Sequence, residues 1–170
     1  MTEPIPRPKD PVRSELLRIE EDCIHSGKAH FNAATRWGRY HLWLGLPAVG
    51  LSGLATVAFV SDNPIAAAVM SGTVAVLTAV QTFVKPSERS VSHKAAGDQY
   101  LGLRNDARVF REIRLDHVCD DQAAIDGLDG LSKRRNELNA ASPQFSRRDF
   151  ETARKGIDQG EAAHAVDRTV

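Results

Sequence analysis

The middle of the chain holds two uncharged apolar runs separated by only three residues, and no other feature restricts the fold as much. Leu42–Val60 contains 19 residues and Pro64–Val84 contains 21. As helices they would be roughly 28 and 31 Å long, close to the hydrocarbon thickness of a bilayer, about 30 Å. Of the 43 positions from Leu42 to Val84, 27 are apolar and one, Asp62, is charged. Core helices of a soluble bundle are the competing arrangement. They usually keep a polar edge, and the remaining sequence would have difficulty covering two such runs. A cleaved signal peptide fits less well, because the first run begins some forty residues in, behind a charged segment. Residues 61–63 read as a tight turn in which Asn63 caps the second helix and Pro64 takes its first position. The expected structure is a transmembrane hairpin at 42–84, with spans at 42–60 and 64–84.

Basic residues near the spans give the orientation. Arg36 and Arg39 precede the first span, Lys85, Arg89 and Lys94 follow the second, and the turn has none. Both termini are therefore expected in the cytoplasm, with the inner membrane crossed twice. Trp37, Tyr40 and Trp43 fall where amphipathic rings favour the headgroup level. With Arg36, Arg39, Lys85 and Arg89 they form the expected interface anchors. The chain balances 22 Lys and Arg against 22 Asp and Glu, which gives no reason to expect a nucleic-acid partner. That neutrality divides into seven basic and six acidic residues before the hairpin, fifteen of each after it, and one acid in the turn.

The few small and polar residues inside the spans are patterned. Ala67, Ser71, Ala75 and Ala79 recur every four residues, with Thr78, Gln81 and Thr82 beside them. In the first span Gly45, Ala48, Ser52 and Ala55, with Thr56, make a comparable helix-packing face. Small-residue faces let helices approach closely in lipid. Their simplest use is to pack the hairpin on itself; a second is that the Ser71, Thr78, Gln81 and Thr82 side meets neighbouring subunits or lines a water path in a homo-oligomer. No ionisable group lies deep in either span, which argues against an ion-coupled transporter.

The flanks read as amphipathic helices. Residues 1–11, with four prolines, form a disordered leader. Residues 12–41 follow as a helix with an apolar stripe at Leu16, Leu17, Ile19, Cys23, Ile24, Phe31 and Ala34. Within 85–157, Ala96, Tyr100, Leu103, Ala107, Phe110 and Ile113 mark a helix from about Ser90 to Leu115, with charges including Arg111 on a solvated face. Asp120 and Asp121 open another helix through Leu138, ended by Ser142 and Pro143. Ser146 caps a last helix, with Phe145 and Phe150 at the positions of a hydrophobic staple and Phe150, Ala153 and Ile157 on its buried side. Residues 158–170 are a polar tail. The fold class is all-α, an integral membrane protein whose cytoplasmic helices bundle beneath the hairpin.

Catalytic, cofactor and metal motifs are not found. Cys23 and Cys119 have no paired spacing, and Cys23 with His25, or His117 with Cys119, would point apart on a helix. His93 reads as a packing histidine. Gly45, Gly50 and Gly53 lie inside an apolar span with no following Gly-Lys-Ser/Thr, so they are packing glycines. Lys133, Arg134 and Arg135 form the densest basic run and read as a solvated face, with anionic headgroups or a phosphate ligand as the alternative.

A cytoplasmic helix, two closely spaced spans, a helix carrying His93, Tyr100 and Leu103 soon after Lys85-Pro86, and shorter helices ending at Ser146-Arg-Arg-Asp-Phe150 together resemble the SMODS and SLOG-associating two-transmembrane effector (SLATT) domain. The resemblance covers about residues 15–157. It implies a non-enzymatic prokaryotic conflict-system effector that forms pores or otherwise breaches the inner membrane. It also implies a separate nucleotidyltransferase or SLOG-type sensor as partner, since no sensor is fused here. A membrane-anchored adaptor whose hairpin only tethers the bundle is the alternative.

Overall fold

A computed structural model describes residues 9–118 and 120–162. Residues 1–8 of the expected leader, Cys119, and residues 163–170 of the expected tail lie outside the described residues. The helices are α1 (Lys9–Val60), α2 (Pro64–Val84), α3 (Pro86–Val109), α4 (Asp121–Ala141) and α5 (Arg147–Asp158), with a π-helical turn at Phe110–Arg114. No strand occurs among the described residues. The all-α expectation holds.

Two boundaries differ from the sequence reading. α1 begins at Lys9, so Lys9–Pro11 are helical and do not belong to a disordered leader. Proline is tolerated there because the first-turn N–H groups have no intrahelical partner to lose. α1 also runs unbroken through residues 41 and 42, since a change from polar to apolar surroundings is no reason for a backbone to leave the helix.

The chain divides into two units, residues 1–33 with 93–170, and residues 34–92. In the first, Val12, Leu16, Ile19 and Cys23 of α1 form one core with Tyr100, Leu103 and Ala107 of α3, Leu115, and Ala124 and Leu138 of α4. The α1 spacing of four, three and four is that of a single helical face. Leu17, expected on the stripe, is exposed. Gly27 and Gly97 let α1 and α3 approach: a Cβ on Gly97 would lie 3.2 Å from the Gly27 carbonyl and 3.0 Å from the Phe31 ring. Gly97→Ala should therefore cost roughly 1–3 kcal/mol by overpacking. Gly130, with nothing within 4 Å of its added Cβ, should gain up to about 1 kcal/mol as alanine. Urea unfolding of the two variants in detergent checks the opposite signs.

The π turn corrects the phase of the third stripe. Leu115 N–H donates to the Phe110 carbonyl at 2.8 Å, a bond five residues back, so one extra residue enters the turn. Ile113, the expected next core position, is 58% exposed, and Leu115 is fully buried instead. The same twist brings Arg111 onto α1, where it donates to Glu20 Oε1 at 2.6 Å and Oε2 at 3.2 Å. Arg111 is therefore a half-buried ion-pair member, where the sequence pattern suggested a solvated charge. Lys9 Nζ donates to the carbonyls of Leu115 and Val118, satisfying the end of this segment.

α5 opens with a capping box. Asp149 N–H donates to Ser146 Oγ, and Ser146 N–H donates back to Asp149 Oδ2. Phe145 and Phe150 stack at 6.3 Å, completing the staple. Its buried side is Asp149, Ala153 and Gly156, with Phe150 exposed, and the Asn32 amide of α1 donates to the Asp149 carbonyl at 3.1 Å on that side. Just beyond α5, Glu161 pairs with Lys28.

In the second unit, α1 from Ala34 to Val60 and the whole of α2 form a helical hairpin. Asp62 takes a left-handed φ of 57°, Asn63 Oδ1 accepts from Ala66 N–H at 3.2 Å, and Pro64 starts α2. Lys85, at φ 50°, ends α2 by donating its N–H to the Gln81 carbonyl, and Pro86 starts α3.

Candidate functional site

The hairpin presents large apolar side chains outward. Trp43, Val49, Phe59, Val60, Ile65 and Phe83 are all exposed, Phe83 by 86%. No residue of α2 is buried. The most apolar 18-residue windows of the two helices are 6% and 0% buried, the reverse of core helices in a soluble bundle. Exposing a large apolar side chain to water costs about 1.5–3 kcal/mol each, so these faces suit a lipid surround.

The two helices meet through complementary faces. α1 contributes Leu44, Gly45, Ala48, Leu51, Ala55 and Ala58; α2 contributes Ala67, Met70, Val74, Leu77, Gln81 and Val84. The least exposed side of α1 in the hairpin includes Gly45, Ala48 and Ala55, and that of α2 includes the larger Met70, Val74 and Leu77. Ser52 lies at the edge of this face, its hydroxyl donating to the Ala48 carbonyl at 2.8 Å. On α2 the expected small stripe splits. Ala67 and Gln81 turn toward α1, whereas Ser71, Ala75, Thr78, Ala79 and Thr82 are exposed. The simplest expectation, that this stripe packs the hairpin on itself, is thereby corrected. Two small faces in contact would leave a gap, and the Met70, Val74 and Leu77 side fills it.

Gln81 Nε2 donates to the His41 carbonyl at 3.2 Å, passing Gly45, where a Cβ would stand 3.1 Å from that nitrogen. Thr82 Oγ1 donates to the Thr78 carbonyl at 2.9 Å. Two furrows run along this side. One of about 410 Å³ is lined by residues including His41, Gly45, Val49, Ser52 and Val74. The other, about 290 Å³, includes Thr82, Lys85, Ser87 and Glu88; both include His41, Thr78 and Gln81.

The expected interface anchors gather at the open end of the hairpin. Arg36 stands 5.1 Å from the Trp37 ring centre and 5.9 Å from that of Tyr40, and Arg89 stands 4.8 Å from Trp37. Trp37 and Tyr40 meet edge to face at 5.6 Å. Arg39 and Trp43 are exposed, and Lys85 pairs with Glu88.

In the first unit the basic run is largely used within the fold. Arg134 pairs with Asp106 and Arg135 with Asp22, while Lys133 is exposed. The residue that sequence reasoning missed is His30. It is buried with His93, their Nδ1 atoms 3.0 Å apart, and it stacks on Tyr100 and meets Phe145 edge-on. Its place on the α1 stripe, seven residues after Cys23, was the available signal. Burial, reinforced by His93, holds His30 down to about 4 from the ordinary 6.5. Burial, with Asp22 beside it, pushes the Cys23 thiol up to about 11, so it is protonated and a poor nucleophile. Among the described residues no three His, Cys, Asp or Glu side chains converge on a possible metal position.

No curated protein and no solved structure matches the chain. The model of a protein family described as SMODS and SLOG-associating 2TM effector domain family 4 matches residues 16–168. Two helices of membrane length in an all-α chain agree with that description, and the match spans nearly all of the sequence. The chain belongs to this family of two-transmembrane effector domains associated with conflict systems.

Proposed function

We propose that this protein is a non-enzymatic effector that assembles through the outward face of α2 and breaches the inner membrane when a separate partner signals. The observation that carries this reading is the exposed run Ser71, Ala75, Thr78, Ala79 and Thr82, left outside while Met70, Val74 and Leu77 pack the hairpin. In lipid, where water does not drive helices together, small side chains at helical spacing allow close association of chains. Two spans cannot enclose a conduit, so a pore requires several copies. The words SMODS and SLOG-associating in the family description support a separate partner of the SLOG-sensor kind, and the proposal extends to a nucleotidyltransferase in the same role. The basic residues that flank the hairpin and are missing from its turn support a cytoplasmic position for both termini in this reading.

Induced expression with the partner should collapse the membrane potential, read with a voltage-sensitive dye, and stop growth. Ser71→Leu or Ala75→Leu should reduce cross-linked oligomers to a minor fraction and restore growth. An unchanged potential with the unaltered chain, or normal oligomers and full toxicity from both variants, would remove the reading.

One observation favours a second reading, a tethered adaptor. The hydroxyls of Ser52 and Thr82 bond back to their own helices, as they would on a face that meets only lipid. An adaptor would keep its function after the hairpin is replaced by an unrelated apolar one, whereas the proposed effector would lose it.

A further inference from the structure

We propose that α1 bends at Pro47, inside the first span, and that the hydrogen bond from Gln81 to His41 holds this hinge shut until the effector is activated. The geometry is that of the hairpin alone; the use of the movement rests on the effector reading above.

Pro47 lies in the interior of α1 and has no N–H. The Trp43 carbonyl, four residues back, therefore receives no helical bond from it, and the proline ring crowds that carbonyl. Hydrocarbon offers no water to replace the missing donor, so the backbone ladder of the span is weak at this point. Glycines stand around it at positions 45, 50 and 53. Glycine and proline weaken a helix interior more than any other residues do. Four of them fall within residues 45–53, against Gly72 alone in α2 after its opening proline. Gly45 has a packing reason, because a Cβ there would stand 3.1 Å from Gln81 Nε2. Gly50 and Gly53 have none, since nothing lies within 4 Å of the Cβ that either would carry. Their effect is to make this part of the helix easy to bend.

Space for the movement lies beside the proline. The furrow of about 410 Å³ follows α1 from His41 to Ser52, with Gly45 and Ala48 on one wall and Val74, Thr78 and Gln81 on the other. Pro47 is exposed and does not line it. A bend at Pro47 therefore changes the width of the furrow. The part of α1 before the proline is tied across it by Gln81, whose Nε2 donates to the His41 carbonyl at 3.2 Å. Among the described residues no other side-chain hydrogen bond joins α1 to α2. A single neutral hydrogen bond is a modest restraint, so little is needed to release it. α1 is continuous from Lys9 to Val60, and a displacement of its N-terminal part reaches Pro47 through unbroken helix. Release sets free the Gln81 amide beside Thr78 in the furrow wall. Polar groups at that place suit a water-filled opening between assembled chains.

Hydrogen exchange read by mass spectrometry on the full chain in a neutral detergent tests the hinge without reference to activity. Amides across residues 44–53 should exchange about tenfold faster than those across 66–75, and Pro47→Ala should slow them by about as much. Gln81→Met, which keeps the size of the side chain and removes its donor, should speed exchange across 41–47 several-fold. In cells carrying the partner, Pro47→Ala should still give cross-linked oligomers yet leave the membrane potential standing, and Gln81→Met should collapse the potential without the partner. Exchange unchanged by either substitution would overturn the proposal. So would a Pro47→Ala chain that collapses the potential as the unaltered chain does, or one that loses its oligomers together with its activity. If the unaltered chain itself leaves the potential standing, the effector reading fails, and the exchange rates still decide whether α1 is hinged at Pro47.

Discussion

Glu20→Leu should destabilise the protein by about 3 kcal/mol, a loss far larger than that expected from an ordinary surface ion pair. The Glu20 and Arg111 side chains are 12% and 15% exposed, and two hydrogen bonds join them. Removing the carboxylate leaves a guanidinium in a site that water reaches poorly, and breaking such a pair typically costs 3–5 kcal/mol. Glu112, which also bonds Arg111 but is more than half exposed, offsets part of this and sets the lower end of the range. Arg111→Met combined with Glu20→Leu should recover most of the loss, because no uncompensated charge remains. Urea unfolding in detergent micelles measures all three variants. If Glu20→Leu costs less than about 1 kcal/mol, or the double variant is as unstable as the single one, the pair is not what fixes the π turn to α1.

That pair marks the limit of what the sequence can disclose. Asn63 and Pro64, Ser146 and Asp149, and Phe145 and Phe150 act within a few residues of one another, and local chemistry decides their geometry in advance. The partner of Arg111 is 91 residues away, and the π turn that aims it inserts one residue into a pattern read with a constant period. Ile113 and Leu115 accordingly exchange roles. The hairpin shows a different limit. Along α2 the small residues at 67, 71, 75 and 79 and the larger ones at 70, 74, 77 and 81 have nearly the same spacing, so periodicity alone identifies two faces without saying which packs inward. The opposing helix decides, because a floor of Gly45, Ala48 and Ala55 must be filled by bulk. The expected anchors Arg36, Trp37 and Arg89 lay in plain view, but their convergence on one ring required the turn at Lys85 and Pro86 to bring α3 beside α1.

Acidification should weaken the fold through His30. A buried imidazole held down to about 4 refuses the proton that the unfolded chain accepts at about 6.5. Above pH 6.5 both states are neutral at this site and its contribution to stability is complete. As pH falls from 6.5 toward 4 the unfolded chain binds the extra proton, and up to roughly 3 kcal/mol is lost. The geometry gives the cause: His30 is 1% exposed, with Tyr100 stacked on its ring, Phe145 against its edge and His93 across a 3.0 Å Nδ1 contact. The neutral pair needs one Nδ1–H donor and one bare acceptor nitrogen, so protonating both rings would set two N–H groups against each other. Carboxylates also titrate near pH 4, and the informative quantity is therefore a difference between two proteins. His30→Leu should be less stable at pH 7, since the Nδ1 contact with His93 and the stacking on Tyr100 are lost, yet it should lose about 3 kcal/mol less than the unaltered chain between pH 7 and pH 4. Equal pH dependence of the two in thermal unfolding would show that the proton is taken up elsewhere. A loss that appears on raising the pH would contradict the sign that follows from a buried, neutral histidine.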